Sequence, residues 1–390
     1  MDGVLNLHGD EWMRHTRALR EIFHASHISK QQPIVAAAAA KHVRAWLQGA
    51  SAVRGVLAAN PGGKVGGADL LSAVRGIGMD CILQVGFGID PSSPIGEALA
   101  GDLSLYPELV GNFSAAGAAL SSFWQLQACG ARIQQHTAAA LAAMQKLRRD
   151  SPDIPERDPR VYNFLSQMQA SGFPLWETAR EVNHIHGAHK AAAFAITCAL
   201  HTLTRNPEWI QKLRGEWRRV LGGGSAQPSK QRAPRPEDAA QLPLTMCVIA
   251  ECLRKHVVSL GVVRQTGKPM EVCGKVMPAG TEVVVLLHAL HHHPAIWEQP
   301  QAFKPERFMA NGQCDTAPFE RQHKYIPFLR GSRMCAGHKL AEMEILVVLH
   351  AVLSQVDITI SGGDKLKLKD DMYSALDETL SFTVTPLQQL

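Results

Sequence analysis

The chain has 390 residues, of which 46% are hydrophobic and 19% charged, with a net charge of +5. That is ample for a large buried core, and length alone allows two or three domains. The small positive excess is spread along the chain and gives no reason to expect nucleic acid as a partner. No apolar run approaches the roughly 18–20 residues of a membrane span, and no leader pattern follows Met1.

In chain order, Asp10 is placed to cap a helix from Trp12 to Phe23, with an apolar face at Leu19, Ile22 and Phe23. Pro33 to Gln48 is alanine-rich and reads as a helix, and Asp80 to Gly88 as a core helix with a glycine stop. Residues 90–130 are punctuated by glycine and serine and are only weakly periodic. Helical spacing returns from Ala131 to Arg149, followed by a proline-rich surface loop over 151–159. Leu175 to Leu203 is a long, largely apolar helix, and a shorter one runs from Asn206 to Val220. Residues 222–241, rich in Gly, Pro, Lys and Arg, read as an internal flexible linker. A helix follows from Leu242 to His256, on which Glu251 and Arg254 share one face and can pair. Short strands are expected over 257–264, 270–273 and 281–287, with Pro278-Ala279-Gly280 as a turn.

The eight cysteines show no Cys-x-x-Cys, which predicts reduced thiols in an intracellular, reducing compartment. Cys335 stands apart from the rest. It lies in Phe328-Leu329-Arg330-Gly331-Ser332-Arg333-Met334-Cys335-Ala336-Gly337, directly before a helix over 338–353. A thiolate ligand needs nearby positive charge and N–H donors. Gly331 and Gly337 allow the tight turns that aim amides at a sulfur, Arg333 can meet a carboxylate through two bonds, and the following helix N-terminus favours negative charge. Two histidine groups also invite a metal. His184, His186 and His189 lack the i, i+4 zinc arrangement. The tract His288, His291, His292, His293 fits an ordinary turn before Pro294 better than a metal site.

The Cys335 stretch resembles the haem-binding loop of the cytochrome P-450 superfamily, Phe-x-x-Gly-x-Arg-x-Cys-x-Gly, and matches each fixed position. Leu329 departs from the small or polar residue usual there. The resemblance extends over nearly the whole chain. It implies a mainly α, single-domain P-450 fold with small antiparallel sheets, lacking the family's usual N-terminal helices and strands. It also leaves any membrane association to an upstream segment. Cys335 becomes the ligand to the iron of haem b. Phe328, Gly331, Arg333 and Gly337 shape the loop, and Trp12 and Arg264 meet the haem's acid groups. At the position of the arginine that usually follows the family's tryptophan stands Thr16, with Arg17 one residue on. Glu251, Arg254 and Arg307 become a buried charged network bracing the loop.

On the long helix the family carries a glycine, then an acid and a threonine that serve proton delivery. Here Gly187 matches, His189 replaces the acid and Lys190 the threonine. The implied activity is a mono-oxygenase acting on a small apolar organic substrate. It would use O2 and electrons from an NADPH-dependent reductase or a ferredoxin, with Gly187 and His189 at the oxygen site. Two alternatives stay open: a thiolate-haem enzyme that rearranges or uses a hydroperoxide without a reductase, and a non-catalytic fragment.

Overall fold

The computed structural model describes residues 7–48, 69–114, 120–222, 231–363, 365–367 and 376–387. It is mainly helical, with small antiparallel two-stranded sheets, as the sequence predicts. The elements in order are α1 (Gly9–Ile22), α2 (Ala25–Leu47), α3 (Leu70–Cys81), α4 (Pro94–Ser114), α5 (Leu120–Asp150), α6 (Phe164–Ala170), α7 (Leu175–Thr204) and α8 (Pro207–Leu221). Then come α9 (Pro243–Lys255), β1 (Gly261–Gln265), β2 (Met270–Val272), β3 (Lys275–Met277), β4 (Glu282–Leu286) and α10 (Leu287–His292). The chain ends with β5 (Met309–Ala310), β6 (Gln313–Cys314), α11 (Ala317–Arg321), α12 (His338–Leu353), β7 (Val356–Ile360) and β8 (Phe382–Pro386).

The axis is α7, whose 30 residues span about 45 Å at 1.5 Å per residue. From Ala192 to Leu203 it is buried nearly all round, which is why its sequence lacks a polar face there. One core cluster joins α2, α3, α7, α8, α9 and α12; a second joins α1, α3, α4, α5, α6 and the first half of α7. Glycines on α3 set how closely its neighbours approach. A Cβ on Gly76 would lie 2.9 Å from the His42 ring of α2, and one on Gly78 would lie 3.3 Å from His189 of α7. At the start of α9 the buried Glu216 carboxylate accepts the backbone N–H groups of Leu244 and Thr245 at 2.8 and 2.9 Å. That satisfies donors which the first turn of a helix leaves open.

Some expectations change. Residues 90–130, only weakly periodic in the sequence, are largely helical: α4 and the first third of α5 occupy most of them, packed on each other in an antiparallel pair. The glycines and serines scattered through them interrupt the apolar period. The proposed linker is anchored in its second half. Arg232 pairs with the buried Asp238 at 2.5 and 2.7 Å, Pro234 accepts from Gln32 of α2 at 2.8 Å, and Pro236–Gln241 forms a 3-10 turn. Residues 223–230 of that linker lie outside the described residues. The first helix starts at Gly9 rather than Trp12, so Asp10 lies in its first turn instead of capping it.

Candidate functional site

The Cys335 loop is shaped by two left-handed residues, Leu329 at φ 62° and Gly331 at φ 77°. The Leu329 N–H bonds to Ile326 O at 3.0 Å, and the Cys335 N–H returns to Phe328 O at 2.9 Å, which closes the loop on itself. Gly337 is the N-cap of α12, which runs from His338 to Leu353 over the range the spacing predicts. His338 Nδ1 bonds the Cys335 carbonyl at 3.0 Å. Phe328 is half-buried and packs on the main core, with its ring 6.1 Å from that of His338.

Cys335 is exposed, unlike the five cysteines in the helical core. Its sulfur is still crowded enough by the loop to push the thiol above its usual pKa, while the Gly337 N–H, bonded to it, works the other way. A thiolate here therefore gains from further positive charge, such as a metal ion.

Arg333, two residues before the cysteine, reaches back to the start of the chain. Its Nη2 donates to Leu7 O at 2.6 Å, and its guanidinium lies over the Trp12 ring, 4.2 Å from the centroid. Burial first, and the like charge of Arg264 second, lower its pKa. Arg264 stands on β1, opposite Val283 of β4. Arg333 and Trp12, both singled out in the sequence, thus meet, with Arg264 near enough for its charge to be felt by Arg333. Two cations brought together across a fold repel each other, and an anionic ligand between them relieves that repulsion. Arg17 does not join them; it is exposed on α1. Thr16, one residue before it, is buried.

On α7, Gly187 and Ala188 are exposed, and a Cβ on Gly187 would meet nothing within 4 Å. A ligand can therefore approach this stretch of backbone closely. The side chains around it are turned elsewhere. His189 is buried against Gly78 of α3, its Nδ1 bonds the His186 carbonyl, and its ring lies 4.2 Å from that of His186. Burial lowers the His189 pKa to about 4 and that of His186 well below its ordinary value, so both are neutral at pH 7. About two turns earlier on the same helix, Glu181 accepts from His15 Nδ1 at 2.8 Å and ties α1 to α7.

Behind the loop lies the buried charge network. Glu251 and Arg254 are both 0% exposed. Arg254 donates through Nε and Nη2 to the two carboxylate oxygens at 2.8 and 2.9 Å, and Arg307 Nε adds a bond at 3.1 Å. The Lys304 N–H contributes a fourth at 3.0 Å, while Arg254 Nη1 donates to His291 O at 2.7 Å. The sequence reading missed the part played by His291. Its ring nitrogen Nε2 accepts the N–H of Ile326, two residues before Phe328, at 3.0 Å. Burial lowers its pKa to about 3. The only signal in the sequence was a histidine tract, in which one buried member looks like its exposed neighbours. Among the described residues no group of three or more His, Cys, Asp or Glu side chains is arranged to hold a metal ion.

A model of the family described as "Cytochrome P450" matches residues 1–384. The chain belongs to the cytochrome P450 family. It is 34% identical over 166 residues to geraniol 8-hydroxylase of Swertia mussotii, a match covering 42% of this chain and 32% of that protein. It is 25% identical over 374 residues to cytochrome P450 4X1 of Rattus norvegicus, covering 90% of this chain and 68% of that one. The crystal structure of a cytochrome P450, CYP102L1, superposes with a TM-score of 0.78 at 20% identity, covering 99% of this chain and 84% of that chain, and so shares the fold. The chain spans only about a third to a half of the first curated relatives it matches, 32% and 31% of two and 47% of human cytochrome P450 4Z1. In this P450 the cysteine loop, the convergent arginines and the open stretch of α7 fit the group the family carries. An exposed cysteine, two arginines whose charges are felt by each other and an open space at Gly187 are the kinds of groups that a haem with acid tails requires.

Proposed function

We propose that this P450 is a haem-thiolate oxidoreductase of the mono-oxygenase class. It would insert one oxygen atom from O2 into an apolar organic substrate, with electrons from an NADPH-dependent reductase or a ferredoxin. The observation that carries the reading is the convergence of Arg333, stacked on Trp12, with Arg264, two residues along from an exposed cysteine. Relatives named geraniol 8-hydroxylase, 3,9-dihydroxypterocarpan 6A-monooxygenase and steroid 21-hydroxylase support the class.

Cys335 would ligate the iron of protoporphyrin IX through its sulfur. Arg264, Arg333 and Trp12 would hold the acid tails, and Phe328, Gly331 and Gly337 would keep the loop in shape. When bound, a haem with a thiolate ligand supplies the activation of O2, because the sulfur pushes electron density toward the iron and favours O–O cleavage. The residues of this chain do the rest. The Gly337 N–H, bonded to the sulfur, favours its charged form against the effect of burial. Gly187 lets a ligand come close to α7, and His189, neutral and buried, would be the proton carrier in the place of the family's acid. All eight cysteines are free, which supports a reducing, intracellular compartment. Among the described residues no helix is long and apolar enough to cross a membrane.

A second reading rests on a specific feature. The exposed stretch of α7 presents Gly187 and Ala188, with no acid or hydroxyl there, which suits an enzyme that consumes a hydroperoxide without a reductase. One experiment tests both readings. The purified protein is loaded with haem, reduced under carbon monoxide, and supplied either with a reductase and NADPH or with an organic hydroperoxide alone. A thiolate–CO spectrum with reductase-driven turnover supports the first reading, and hydroperoxide loss without reductase supports the second. No haem uptake, or a thiolate spectrum that survives Cys335→Ser, refutes both.

A further inference from the structure

His291 is the one member of the histidine tract that is completely buried, and neither the metal readings nor the haem contacts use it. Each polar contact it makes belongs to a single chain of bonds. Its carbonyl accepts Arg254 Nη1 at 2.7 Å, so its backbone is fixed to the Glu251–Arg254 pair. Its Nε2 accepts the Ile326 N–H at 3.0 Å. Its ring lies nearly parallel to that of Tyr325, 5.6 Å away and 20° inclined, and the Tyr325 hydroxyl donates to Ala250 O of α9 at 3.1 Å. From Ile326 the chain passes through Pro327 to Phe328, whose carbonyl takes the Cys335 N–H at 2.9 Å.

At a histidine ring an amide N–H can bond only an unprotonated nitrogen, so Nε2 is unprotonated and the ring proton sits on Nδ1, which has no hydrogen-bond partner among the described residues. A protonated imidazole would place N–H against N–H. A leucine would leave the Ile326 donor without a partner at the point where the loop leaves the helical core. We propose that His291 is a positioning residue for the Cys335 loop, whose neutral imidazole transmits the fixed place of the Glu251–Arg254 pair to Ile326 and so to the cysteine. This deepens the reading of Cys335 as the haem ligand.

The test compares His291→Leu with His291→Gln, whose Oε1 reaches about as far as Nε2 and accepts a hydrogen bond. The haem-free protein is used first, with amide hydrogen exchange at Ile326 and the alkylation rate of Cys335 as readouts. Loss of the acceptor should speed Ile326 exchange on the order of tenfold and alter the Cys335 rate, with far-UV circular dichroism unchanged and the Gln variant near the parent. In the haem-loaded proteins the Leu variant should shift the reduction potential or the carbon monoxide band, and Gln should restore it. Equal Ile326 exchange in the parent and a folded Leu variant overturns the proposal. Nitrogen-15 histidine spectra of the unmutated protein decide the matter should the Leu variant not fold. The resonance that vanishes in His291→Gln must belong to the Nδ1–H tautomer, and an Nε2–H tautomer overturns the proposal. None of the haem-free readouts depends on haem uptake, so failure of the haem reading would show separately in the Cys335→Ser spectra.

Discussion

Replacing Glu251 by leucine removes the only carboxylate facing Arg254 among the described residues, and does so where both side chains are 0% exposed. Four donors lose their acceptor together: Arg254 Nε and Nη2, Arg307 Nε and the Lys304 N–H. The bonds of Arg254 to the carbonyls of His291 and Pro300, at 2.7 and 2.9 Å, satisfy hydrogens but do not neutralise the charge. A buried cation left this way costs about 3–5 kcal/mol, a large part of the roughly 5–15 kcal/mol that holds a domain folded. Urea unfolding followed by tryptophan fluorescence measures it. Trp297 lies 5.2 Å from the Arg254 guanidinium and reports on this region directly. The midpoint should fall with the slope unchanged. Adding Arg254→Met to Glu251→Leu should recover at least about 2 kcal/mol, because the second change removes the orphaned charge. A loss below about 1 kcal/mol for Glu251→Leu, or two losses that simply add, would refute the view of the pair as one electrostatic unit.

Acid should destabilise the protein well above the carboxylate range. His27, His189, His291 and His350 are buried, and burial lowers their pKa values to about 4, 4, 3 and 4. Each is held neutral in the folded state, while the unfolded chain binds a proton near pH 6.5. Stability is therefore full above pH 6.5 and is lost as the pH falls toward 4. At pH 5 each contributes a loss of up to about 2 kcal/mol. A urea midpoint that stays flat from pH 7.5 to pH 5 would contradict this. Gly88→Ala should cost about 3 kcal/mol, since φ is 65° and the new Cβ would lie 2.8 Å from Arg160 O and closer still to Asn163; a thermal midpoint within a degree of the parent would exclude it. Leu329→Gly relieves a left-handed side-chain residue at φ 62°, which is worth about 1–2 kcal/mol, less about 0.5–1 kcal/mol of added chain entropy. The variant should match or slightly exceed the parent in thermal unfolding, and a clear loss would show that the leucine side chain holds the loop.

The parts of this protein that could be read in the chain are those whose partners lie within a turn or two. The cysteine loop announces itself because its glycines, its arginine and the following helix act within ten residues. The range of α12 follows from apolar spacing, and Glu251 and Arg254 pair because they lie three apart on one helix face. Membership of the family and the fold class therefore came from sequence alone, and so did the proposal of Cys335 as the ligand residue. What the sequence left open depends on contacts between distant segments. Arg333 meets Leu7 across 326 positions, and no local pattern selects it over Arg17, which the chain order favours. The helices α4 and α5 pack on each other, and the second half of the supposed linker is held by a buried Asp238. His291 is distinguished from His292 and His293 only by which of them points inward to accept the N–H of Ile326. Burial sets the charge of the histidines and the orientation of His189, and burial is a property of the assembled fold rather than of any stretch of the chain.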